Sequence, residues 1–175
     1  MYWVFYITNE YGDQSEERDY SGDNYRILIS RCVKYCDEFS FKTFHNNVKN
    51  FDAFEPFRVT QPKQREKTYF GYAFSNRLSI GPKFKEVHYY RVCEETHKLL
   101  LDTADDMFKW IEGWGYFNPE DLAFYRSDGS VFLESQIHEG CFVLYPRENE
   151  DVSDILADPK WYCYSDDGQL LKLGE

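Results

Sequence analysis

Residues 118–145 constrain the fold more than any other stretch, because short apolar runs are separated there by turn signals too closely spaced for helices. Leu122-Ala123-Phe124-Tyr125-Arg126 is followed by the turn Ser127-Asp128-Gly129-Ser130. The run Val131-Phe132-Leu133-Glu134-Ser135-Gln136-Ile137 comes next, then the tight His138-Glu139-Gly140 and the run Cys141-Phe142-Val143-Leu144-Tyr145. This spacing predicts strands over 122–126, 131–137 and 141–145 in an antiparallel meander. Immediately before it, Asn118-Pro119-Glu120-Asp121 offers an N-cap residue, a proline at the first helical position and two acids behind it, which predicts a short helical turn.

Elsewhere two helical periodicities stand out. Tyr25, Leu28, Ile29, Cys32, Cys36 and Phe39 recur at spacings of three and four, predicting a helix near 24–38 that opens at Asp23 or Asn24. Leu100, Leu101, Ala104, Met107, Phe108 and Ile111 trace a second helix near 95–112, with Glu94 and Glu95 at its positive end. Residues 1–7, 67–74 and 84–92 read as strands, 152–157 as a short helical piece, and 161–164 with 169–173 as a last hairpin. No element is assigned over 40–66. With no repeat and no linker, the expected architecture is α+β: a single domain over 1–175, with an antiparallel sheet and two main helices on one face, since both stripes need a common core.

Composition bounds the function. The 175 residues carry a formal net charge of −11, and 19% are aromatic despite a mean hydropathy of −0.67. Such a chain buries a core rather than remaining disordered, and its charge disfavours nucleic acid or an anionic membrane as partner. The apolar start at Met1 lacks a basic leader and is too short to span a bilayer, so a soluble protein is expected. Five cysteines without a CxxC pair point to reduced thiols and a cytoplasmic compartment, with Cys32 and Cys36 as packing residues.

Chemistry is sparsely signalled. Phosphate-loop, dinucleotide, zinc-protease, serine-hydrolase and calcium-loop motifs are absent, and no cofactor is expected. Glu120, Asp121, Glu134, His138 and Glu139 could converge as acid and base or around a metal, giving a metal-dependent hydrolase, but their spacing fits no metal motif and structural roles are favoured. Cys141 follows His138 by three residues, a separation that opposes a shared strand face. His45, His88 and His97 are isolated in sequence. From Arg58 to Lys85 seven Lys and Arg face Glu66 alone, a local +6 against −17 for the remainder. Interleaved aromatics make Arg58, Lys67, Tyr72 and Arg77 the candidate residues for a nucleotide or phosphate ligand.

The order of aromatic strand, helix, aromatic strand and long helix ending in Trp110, followed by Pro119-Glu120-Asp121-Leu122, Phe124, Asp128-Gly129 and Ser135-x-x-His138-Glu139-Gly140, resembles a family of uncharacterised Gram-positive bacterial proteins. Its members often carry the label stage III sporulation protein AH. The resemblance, most specific over 84–142, implies a bacterial, cytoplasmic protein with a shared fold and assigns no catalytic residue. Small size, acidity and many aromatic side chains instead suggest a non-catalytic binding protein of immunity or inhibitor type, whose partner is a protein with a basic surface.

Overall fold

In the computed structural model, residues 1–7, 20–43, 52–61, 86–113, 116–158 and 160–172 are described. The expected meander is present: Glu120–Tyr125 (β6), Val131–Gln136 (β7) and Cys141–Leu144 (β8) pair in antiparallel succession. Tyr2–Tyr6 (β1) adds to β8 in register Phe5 with Phe142, and its other edge pairs with Tyr162–Tyr164 (β9), which turns back into Leu170–Lys172 (β10). On the far side of β6 lie Glu38–Thr43 (β2) and then Glu86–Arg91 (β3). The sheet therefore runs β10-β9-β1-β8-β7-β6-β2-β3, antiparallel at every pairing.

Two main helices cover one face, as the periodicities required. Gly22–Tyr35 (α1) and Glu94–Thr103 (α2) lie against each other, and Ser153–Leu156 (α3) packs on α1. Tyr25, Leu28, Ile29 and Cys32 of α1 are buried with Phe5, Phe39, Phe41, Tyr90, Phe124 and Phe142 of the sheet. Two of the large side chains match their polar atoms inside this core: Trp110 Nε1 donates to the Tyr25 hydroxyl at 3.1 Å, which donates to the Leu100 carbonyl at 3.0 Å. The opposite face buries Tyr2, Val4, Cys141 and Val143, with Ala123, Tyr125 and Val131 beside them.

Three expectations are corrected. The second helix stops at Thr103: Ala104 is extended, and Asp106 opens a 3₁₀ turn over Met107–Lys109 by accepting the Phe108 N–H at 2.7 Å. That break turns both Met107 and Trp110 into the core. A two-stranded ladder, Glu112–Gly113 (β4) with Tyr116–Phe117 (β5), then occupies the end of the expected helical stretch. Phe39 belongs to β2 rather than to the first helix, because Cys36 is already extended. Residues 118–121 form no helical turn, since Glu120 and Asp121 begin β6 and Glu120 stands opposite Lys42 of β2. The predicted strand over 67–74 lies outside the described residues.

Candidate functional site

The acids and histidine expected to converge are divided among separate partners. Between Lys42 opposite Glu120 and Ser40 opposite Ala123, β2 spends one residue and β6 two, so β6 bulges at Asp121. Asp121 has φ of 52°, the left-handed region that few non-glycine residues adopt. The bulge turns two consecutive acids inward: Glu120 and Asp121 are 1% and 4% exposed. Asp121 Oδ1 accepts the Ile137 N–H at 3.0 Å, and its Oδ2 accepts from Lys42 Nζ at 2.9 Å. Glu120 Oε2 accepts from His138 Nε2 at 2.9 Å, and the His138 side chain is otherwise half exposed. Glu134 Oε1 instead takes the Tyr145 hydroxyl at 2.6 Å on the second face of the sheet, and Glu139 is exposed.

Chemically, this arrangement fastens the 137–140 turn to β6 and β2. Among the described residues no three His, Cys, Asp or Glu are grouped so as to hold a metal ion. Cys141 is buried on the second face with its thiol pushed up to about 12, first by burial and then by the carboxylates of Glu139, Asp121 and Glu134. A thiol in that state is a poor nucleophile at neutral pH.

Of the phosphate-ligand candidates, Arg58 is exposed and bonded through Nη1 to both oxygens of Glu55 at 3.1 and 3.2 Å. The same carboxylate accepts the Tyr90 hydroxyl at 3.1 Å, so Arg58 is bound into the margin of β3. Lys67, Tyr72 and Arg77 lie outside the described residues. His88 faces the helical layer opposite Phe41, and His97 meets Ser30 across the two helices at 3.4 Å.

Sequence reasoning missed two working residues. Lys42 sits in a stretch left without an element, although the alternation Phe39-Ser40-Phe41-Lys42 is a strand signal. Arg126 stands in the sequence only at the end of an expected strand, yet it is 5% exposed and holds the Glu150 carboxylate.

Outside this network several surface cations of the described residues are paired with carboxylates, whereas Arg26, Lys34 and Arg91 are exposed and form no ion pair among the described residues. Arg31 pairs with Asp154, Lys98 with Asp102, Lys109 with Asp105 and Arg147 with Asp128. Glu94, Glu139 and Glu148 are exposed, and no ion pair to them exists among the described residues. Glu150, which composition alone would count with the acidic 147–158 loop, is instead a buried ion-pair partner. No helix in the described part is long and apolar enough to cross a membrane. No protein-family model matches the chain, and comparison with curated proteins and with solved structures gives no match.

Proposed function

We propose that this protein is a non-catalytic binding protein of immunity or inhibitor type that engages a basic protein through its acidic surface. One observation supports this most: Arg31, Lys98, Lys109 and Arg147 are each tied to a neighbouring carboxylate, while Glu94 and Glu95 at the start of α2 and Glu148 after β8 face solvent. Their negative field steers a positively charged partner and speeds its association, an effect screened over about 8 Å at physiological ionic strength. The acids that resembled a hydrolytic cluster hold the fold together instead, which weighs against catalysis at that place.

The experiment is affinity capture on the immobilised protein at low salt, followed by identification of what salt releases. The expected catch is a basic protein whose own activity falls when the complex forms. Glu94→Lys with Glu95→Lys should slow its association. Retention of nucleotides or oligonucleotides, or a catch indifferent to salt and to charge reversal, would refute the proposal in favour of a phosphate-ligand protein.

A further inference from the structure

The two edges of the sheet are finished differently. At β3, the Val59 N–H donates to the Tyr89 carbonyl at 2.7 Å and Arg58 forms a bridge with Tyr90, so residues 58–59 cover that edge. At the opposite end β10 is the outermost strand, and among the described residues nothing pairs with its outer side. An open edge offers a row of backbone donors and acceptors to any extended chain. Here it also carries apolar side chains: Leu170 and Leu171 are 39% and 55% exposed, two of only four large hydrophobic side chains so exposed in the described part.

The edge is held ready by its turn. The Ser165 N–H donates to the Gln169 carbonyl at 2.9 Å, Ser165 Oγ accepts the Gln169 N–H at 2.9 Å, and the Gly168 N–H returns to the Ser165 carbonyl. Gly168 adopts φ of 83°, which a side chain would strain. A strand fixed in advance loses little conformational entropy on pairing. The same turn presents Asp166, whose carboxylate meets the Met1 ammonium, and Asp167, which accepts from Ser165 Oγ, at the solvent surface beside the two leucines.

We infer that β10 is a docking edge for an extended segment of the basic partner, added as a further strand whose apolar side chains cover Leu171, the more exposed of the two leucines, while Lys or Arg flank them to meet the acidic turn at Asp166 and Asp167. The inference rests on the basic-partner reading for the sign of the charge, and on the open edge for the mode of binding. A second copy of this chain fits poorly, because pairing would bring together two molecules of net charge −11 and their acidic turns. Backbone hydrogen bonds supply affinity in strand addition, and alternating side chains supply selectivity.

The test uses the whole protein and a labelled ten-residue peptide of alternating Lys and Val. The peptide is compared with one methylated on every second backbone nitrogen and with a Glu-for-Lys version. Expected are binding by the Lys peptide, roughly tenfold weakening on methylation because the ladder donors are removed, and slowed amide exchange at 170–172. Leu171→Pro should weaken binding to a similar degree. Equal binding of the methylated peptide, protection elsewhere, no binding by any peptide, or dimerisation through β10 in sedimentation would overturn the inference. Methylation-insensitive binding that Glu94→Lys with Glu95→Lys weakens would leave the basic-partner reading standing alone. Methylation-sensitive binding of the Glu peptide would instead sustain the docking edge and overturn the charge assignment.

Discussion

Arg126 and Glu150 close a two-pronged ion pair in which Nε meets Oε1 at 2.6 Å and Nη2 meets Oε2 at 2.7 Å, with both side chains under one tenth exposed. The guanidinium also donates to the carbonyls of Val131 and Tyr145 and to Ser130 Oγ, and lies over the Phe132 ring at 5.2 Å. One side chain thereby ties the β6–β7 turn to the connection leaving β8. A buried pair of this kind is costly to break because the survivor keeps its charge without water. Arg126→Met should lower stability by about 3–5 kcal/mol in urea unfolding, and Arg126→Met with Glu150→Leu should lose less than the single variant. A double variant no better than the single one would show that the bonds to the carbonyls and Ser130, not the ion pair, dominate.

The indole of Trp110 takes the place in the core that periodicity gave to Phe108. Trp110 is wholly buried, packs its ring at a tilt against Phe41 with centroids 4.8 Å apart and donates to Tyr25, whereas Phe108 is partly exposed at the margin of Phe5 and Phe142. Trp110→Ala should cost about 3–5 kcal/mol and Phe108→Ala clearly less, about 2 kcal/mol, in the same measurement. The reverse order would return Phe108 to the centre of the core.

That exchange shows what could be read from the chain. The meander, the first strand, the last hairpin and most of α1 follow from alternation and turn chemistry acting over neighbouring residues. The end of α2 was hidden because Met107, Phe108 and Ile111 continue a helical spacing while the Asp106 side chain stops the helix locally. Asn118-Pro119-Glu120-Asp121 misled for a different reason. The acids satisfy Lys42 and His138, contacts made only when β2 lies beside β6. No local pattern announces a pairing across 79 residues.

Acid should weaken the protein. Burial tends to raise the Glu150 carboxyl, but hydrogen bonds from Arg126 and the Arg147 N–H outweigh it and hold it below its ordinary 4.5. Hydrogen bonds from Ser130 and then Arg147 lower Asp128, and Lys109 lowers Asp105. Groups lowered on folding stabilise the native state above their unfolded values, and that contribution is lost as pH falls through the folded ones. The urea midpoint should therefore hold between about pH 8 and 5 and decline steadily below about 4.5, less steeply in Glu150→Gln. A midpoint rising on acidification would contradict this set of ion pairs.

Thiol chemistry separates one cysteine from four. Burial pushes the Cys32 and Cys36 thiols up, and Cys141 rises for the reasons given above, while Cys163 is also buried. Cys93, at the start of α2, is the partly exposed one. Ellman's reagent on the native protein should find one fast thiol, abolished in Cys93→Ser, and five after unfolding. Two or more fast thiols in the native state would mean that the second face of the sheet or the α1 core opens readily.

Position 121 offers the sharpest test of the bulge, because two effects there act in opposite directions. Inside an ordinary strand, glycine is less stable than alanine by roughly 0.5–1 kcal/mol, since it loses more backbone freedom on folding. At φ of 52° an alanine keeps the Cβ clash that glycine avoids, about 1–2 kcal/mol. Both variants lose the acceptor for the Ile137 N–H and the partner of Lys42, a shared loss of about 1–3 kcal/mol for the buried donor alone. The difference between them therefore isolates the backbone: Asp121→Gly should be more stable than Asp121→Ala by about 1 kcal/mol, although both fall below the parent. Asp121→Asn should lie nearest the parent, because its carbonyl oxygen still accepts from Ile137 and asparagine tolerates the left-handed region. If alanine equals or exceeds glycine, residue 121 is not left-handed and Glu120 and Asp121 do not both turn inward.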